Sequence, residues 1–175
     1  MSRAGYSGTP LPGKLGVKPG TRLALIRAPQ GFTTTLGALP DGVTVLAGLR
    51  APLDVIVAFF ERRRALERRL PALRDALAPT GGLWIAWPKR ASGMPTDVTE
   101  AAVHELGLAA GLVDNKVCAI DEVWSGLRFV HRVRDRPVRD RPVRDRPVRD
   151  RPFGDRPAPP PRAGRPVSAD SRRGL

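Results

Sequence analysis

The chain has 175 residues, one cysteine, two histidines and a formal charge of +13, with 41% of its residues hydrophobic. No stretch approaches the ~20 consecutive apolar residues that a membrane-crossing helix needs. Cys118 stands alone, which excludes an intramolecular disulfide, and His104 and His131 are too few to complete a metal centre of Cys/His type. The start MSRAGYSGTPL has no apolar segment behind its arginine, so no secretion signal is expected and the cytoplasm is the default compartment.

Residues 1–20 hold five Gly and three Pro with Tyr6, Leu11, Leu15 and Val17 spaced among them. This reads as a lead-in segment with one helical turn near residues 10–16, closed by the turn signal KPG at 18–20. A folded domain is expected over residues 21–132. Its strand candidates are Thr21–Arg27, Val43–Leu46, Asp54–Phe60, Leu83–Trp87, Lys116–Asp121 and Leu127–Arg132, each an apolar or β-branched run bounded by turn residues. A helix is expected over Glu61–Leu77, where Ala65, Leu66, Leu70, Leu73 and Leu77 recur at helical spacing opposite Arg62, Arg63, Arg68, Arg69 and Arg74. Pro71 predicts a kink or break within it. A second helix is expected over Asp97–Ala110, with Thr96 as N-cap and Gly111 beyond its end. Strands alternating with helices predict an α/β fold, a compact Rossmann-like and mostly parallel sheet covered on both faces.

The segment DVIVAFFERRRALERRLPALRDALAPTGGLWIAWPKR resembles the fourth strand, fourth helix and fifth strand of class I methyltransferases, with APTGG at the turn. NKVCAIDEVWSGLRFVHR resembles the antiparallel hairpin that completes such sheets, its turn expected near Val123–Gly126 with Gly126 supplying a positive φ. GYSGTPL, KLGVKPG, WPK and DNKVCAIDEVWSGLRF are similar to recurring segments of a bacterial family of small proteins known as a domain of unknown function, over residues 4–132. The methyltransferase resemblance implies S-adenosylmethionine held against a glycine-rich first βα turn, with an acidic residue after the second strand on the ribose. Here the first turn is Ala28, Pro29, Gln30 and Gly31, in which Pro29 has no amide hydrogen, and the second strand runs into Ala47, Gly48 and Leu49. Hence no cofactor is expected in that cradle.

A site in this fold is expected outside the carboxyl ends of the strands. Gln30, Lys89, Arg90, Ser92, Asp121, Glu122, Trp124 and Ser125 are the candidates for one ligand cleft there, with Lys89 and Arg90 on an anion and Trp124 as an apolar wall. The competing reading makes Asp121 and Glu122 surface partners of Lys89, and Trp84, Trp87 and Trp124 packing residues. Cys118 is read as packing, His104 as solvated, and His131 as the end of the last strand. No nucleophile elbow, phosphate-loop pattern or zinc spacing is present, and no catalytic residue is assigned.

From residue 133 the chain repeats VRDRP four times, then FGDRP, then APPPRAGRPVSADSRRGL, with 13 Arg against 6 Asp. A proline in every fifth position and one valine per unit predict a disordered basic tail over residues 133–175. It reads either as a neutral tandem expansion or as an arm that touches nucleic acid or another polyanion. Together these features favour a noncatalytic Rossmann-like binding or interaction module over an enzyme. The alternatives are an S-adenosylmethionine-dependent methyltransferase-like enzyme with a divergent cofactor site, and a nucleic-acid-associated protein using its basic tail.

Overall fold

The computed structural model describes residues 8–136. One six-stranded sheet, ordered β2-β1-β3-β4-β6-β5, organises them. Its strands are β1 (Arg22–Ile26), β2 (Thr44–Leu46), β3 (Leu53–Phe59), β4 (Leu77–Pro88), β5 (Leu112–Ala119) and β6 (Trp124–His131). β1 to β4 run parallel, whereas β6 is antiparallel to both β4 and β5. The expected Rossmann-like, mostly parallel architecture with a closing antiparallel hairpin is the one observed.

The central strands are buried on both sides because their sequences alternate nothing: Leu23–Ile26, Val55–Phe59 and Leu83–Trp87 are all inaccessible. Helices α1 (Leu11–Leu15) and α2 (Phe32–Leu36) cover one face, where Leu11, Leu15, Phe32 and Leu36 meet Val57, Phe59 and Trp84. Helices α3 (Arg63–Ala76) and α4 (Glu100–Ala109) cover the other, through Leu66, Leu70, Leu73 and Val103. The lead-in segment is tied down by the fully buried Trp84, whose indole Nε1 donates to the Leu15 carbonyl at 2.9 Å. Losing that donor would strand a buried carbonyl, at a cost of ~1–3 kcal/mol.

Several boundaries differ from the sequence expectations, each for a local reason. α3 continues through Pro71, because the residue lies on the exposed face and water can reach the carbonyl it leaves unbonded. α4 is capped by Thr99, whose side chain accepts from Ala102 N at 3.2 Å; Thr96 instead donates its hydroxyl to the Glu61 carbonyl at 2.8 Å. The neighbouring Asp97 Oδ1 accepts from Arg63 N at 2.7 Å, so this loop caps the start of α3. APTGG belongs to the beginning of β4, where the pairing with β3 shifts register, rather than to a separate turn. The hairpin turn lies three residues earlier than expected, at 120–123, so Trp124, Ser125 and Gly126 are already in β6. Gly126 is needed for packing, not for a positive φ: a Cβ there would stand 2.8 Å from Ile120 Cδ1. The first VRDRP unit begins with a short 3₁₀ turn at Val133–Asp135, and the disordered-tail expectation beyond residue 136 lies outside the described residues.

Gly107 shows how closely α4 sits on the sheet. A Cβ at this position would lie 2.1 Å from Phe129 Cε1, and Phe129 is fully buried. Alanine would favour an isolated helix by ~1 kcal/mol, yet overpacking a filled core costs ~1–3 kcal/mol. Gly107→Ala is therefore expected to lower stability in denaturant melts, against its helix propensity.

Candidate functional site

Two corners lie at the carboxyl ends of the parallel strands. The first holds most of the residues singled out from the sequence. Lys89, after β4, donates its ammonium to the Asp121 carbonyl at 2.6 Å and its amide to the Val123 carbonyl at 2.7 Å. The Asp121 carboxylate accepts from the amides of Val123 and Trp124 at 2.8 and 2.7 Å, which closes the β5–β6 turn. The Lys89–Asp121 contact thus runs through a backbone carbonyl rather than between the two charges. The Ser92 hydroxyl donates to the Lys89 carbonyl at 2.6 Å, fixing a 3₁₀ turn at Arg90–Ser92. Trp124 is 4% exposed and packs edge-to-face on Phe59, with ring centroids 5.1 Å apart. Ser125 pairs with Trp87 and Ala119 within the sheet, Glu122 is exposed in the turn, and Gln30 is exposed in the first βα turn. The structure brings Lys89, Ser92, Asp121 and Trp124 together through bonds to one another's backbone.

The second corner is an open cleft of about 500 Å³ at the ends of β1, β2 and β3. Its floor is Ile26, Ala47, Phe60 and Ala65, and its rim carries Arg27, Arg68 and Arg69. None of the eight residues singled out above lines it. It exists because only residues 47–52 connect β2 to β3 across the face of β1. Parallel strands are ordinarily joined by a dozen or more residues, usually including a helix. Leu46 and Leu49 tuck this short arch against the α3 core, and the chain just past β1, at Arg27, stays exposed beside α3.

The backbone of Arg27 is unusual. It is the one non-glycine residue with positive φ among those described, at 56°, a conformation that costs an L-residue roughly 1–2 kcal/mol. There its guanidinium lies 5.7 Å from the Phe60 ring centroid, a cation–π arrangement over a buried ring. The arginines of α3 divide by surroundings. Arg63 pairs with Glu67 and Glu105, and Arg74 with Asp75, while Arg68 and Arg69 make no ion pair among the described residues. Among the described residues no carboxylate lines the cleft.

Other titratable groups lie elsewhere. Burial pushes the Cys118 thiol above its ordinary range, against the pull of Lys116, Lys14 and Lys89, and the partly buried side chain packs against the core cluster that holds Trp84 and Trp124. His104 Nε2 stands 3.2 Å from Asp114, and His131 Nε2 is 3.2 Å from the Leu77 carbonyl. Among the described residues no cluster of three or more His, Cys, Asp or Glu could hold a metal ion, and no helix is long and apolar enough to cross a membrane.

No protein-family profile and no curated protein matches the chain. Solved structures do. A SAM-dependent methyltransferase from Aquifex aeolicus matches at 17% identity and a TM-score of 0.50, over 67% of this chain and 85% of that one. The pyocyanin biosynthetic protein PhzM matches at 13% identity and 0.51, over 70% of this chain and 53% of its own. A ribosomal protein L11 methylase from Lactobacillus delbrueckii subsp. bulgaricus gives 13% identity and 0.47, over 70% and 75%. The likeness is one of fold: the chain has a Rossmann-like fold of the kind seen in methyltransferase structures. It also corrects the inclination towards a nonenzyme. That inclination rested on the missing glycine turn, the missing ribose-binding acid and the lack of a catalytic motif, whereas solved proteins that share this fold include a SAM-dependent methyltransferase.

The first corner yields a stability test. Trp124 is core packing by burial and ring contact, so Trp124→Ala is expected to cost ~3–5 kcal/mol, as truncating a buried aromatic does. A loss below ~1 kcal/mol in denaturant melts would contradict that placement.

Proposed function

We propose that the chain is a methyltransferase-like enzyme with a divergent cofactor site, working at the carboxyl ends of β1, β2 and β3. The observation that supports this reading most is the open cleft at that edge, in a sheet whose fold is shared with a SAM-dependent methyltransferase structure. In open α/β sheets this is where ligands bind. Its size falls among small-molecule sites, which run roughly 300–1,000 Å³.

The residues present do not fit S-adenosylmethionine in the pose of the glycine-rich enzymes. The turn after β1 offers Arg27 at the left-handed position and Pro29 without an amide hydrogen, and the end of β2 has Ala47 where a ribose-binding acid would stand. A rim of three guanidiniums also opposes a cationic sulfonium. What the chain's own residues do is bind and orient. Phe60, Ile26, Ala47 and Ala65 form an apolar floor, and Arg27, Arg68 and Arg69 place positive charge around it. Among the described residues no Asp, Glu, His or Cys lines the cleft. Group transfer driven by alignment of the reacting partners needs no such group.

The test is thermal unfolding of the full chain with S-adenosylmethionine and with S-adenosylhomocysteine, homocysteine serving as control. A ligand at 100 times its Kd stabilises by ~2.7 kcal/mol, a clear upward shift. The reading expects that shift from S-adenosylhomocysteine, whose thioether lacks the charge the rim opposes, a smaller one from S-adenosylmethionine, and none from homocysteine. No shift at millimolar concentration of either would overturn it.

A further inference from the structure

We propose that the Arg27–Arg68–Arg69 cleft binds the phosphate group of a small organic phosphate. As a statement of substrate class this rests on the enzyme reading above; as a binding site it stands on the cleft alone. Three observations converge on it.

Charge comes first. Three guanidiniums edge one cleft whose lining includes no carboxylate, and none of the three is neutralised by an ion pair among the described residues. On the same helix Arg63 and Arg74 have acidic partners, and Arg64 is unpaired among the described residues but lies outside the cleft, so what sets this corner apart is the convergence of three unpaired guanidiniums on one cavity. Arginine presents several donors in a planar fork suited to phosphate oxygens, and bonds to an ionised acceptor are the stronger kind.

Geometry comes second. Arg27 sits in a left-handed conformation that glycine would adopt without strain. The turn that usually brings backbone amides to a ligand here brings a guanidinium, steadied over the buried Phe60 ring. Strain of this kind persists where the surroundings over-determine it, and such positions gather at ligand-binding sites.

Size is the third. About 500 Å³ with a floor of Ile26, Ala47 and Ala65 accommodates a phosphate and a modest organic body. An extended polymer needs a groove, and this cleft is bounded by α3 and the arch at 47–52.

The test is calorimetric titration of the full chain at low salt with inorganic pyrophosphate, the minimal probe of the anion subsite. Wild type is compared with Arg27→Gly, with Arg68→Ala/Arg69→Ala, and with Arg64→Ala, an exposed arginine of α3 outside the cleft. Arg27→Gly relieves the left-handed strain, so it keeps the fold if the double variant does not. The expected result is saturable binding, weakened about tenfold or more by each cleft variant and less than about twofold by Arg64→Ala. No binding to wild type, or an equal loss in Arg64→Ala, would overturn the assignment. So would tight binding of a single-stranded RNA that is blind to the cleft variants while pyrophosphate fails. S-adenosylhomocysteine in the same titrations separates the two claims. Pyrophosphate binding without it keeps the anion site and removes the enzyme reading, and the reverse result removes the anion site alone.

Discussion

Six residues carry the chain from the end of β2 to the start of β3, and they must cross β1 to do so. Such a span is too short for the helix that normally covers this crossing, and the rest of the molecule adapts to it. β2 is reduced to three residues at the sheet edge, with Val45 exposed. Leu46 and Leu49 give the arch a hold on the α3 core. α3 walls the region beyond the arch through Ala65, Arg68 and Arg69, and Arg27, just past the end of β1, is left facing solvent between them. The cleft is thus a product of chain length before it is a product of any particular side chain.

The two strand-end corners then differ in what their polar groups do. At Lys89 and Asp121 the donors and acceptors are spent on the backbone of the neighbouring turn, and Trp124 is packed beneath them. At Arg27, Arg68 and Arg69 no carboxylate pairs with the guanidiniums among the described residues. An anion entering the first corner would have to displace short bonds already made, whereas one entering the second would find donors facing solvent. Desolvation costs favour the second.

The sheet was legible in the sequence because strands buried on both faces read as unbroken apolar runs, and α3 because its leucines repeat at helical spacing. Cap and turn positions were less so: Thr96 and Thr99 are equivalent by composition, and only the loop that clamps Glu61 and Arg63 decides which one begins α4. The cleft was not visible. Phe60 and the α3 arginines were noticed as a strand end and a polar helix face, but nothing local marks a left-handed Arg27 or says which arginines lack acidic neighbours. Those properties belong to tertiary placement. One signal was available, the distance between Leu46 and Leu53, which is too short for a crossover helix and therefore announces an uncovered strand. The missing glycine turn was read correctly as a residue pattern, yet it invited too strong a conclusion about catalysis.

The central claim is that the ligand site of this fold lies between β1 and α3, over the arch, and not at the Lys89–Asp121 corner. Backbone amide shifts of the isotopically labelled protein, followed by nuclear magnetic resonance during titration with S-adenosylhomocysteine, test it most directly. The account predicts perturbations concentrated at Arg27, Ala47, Phe60 and Ala65. Perturbations concentrated instead at Lys89, Ser92 and Asp121, with the β1 end unchanged, would contradict it.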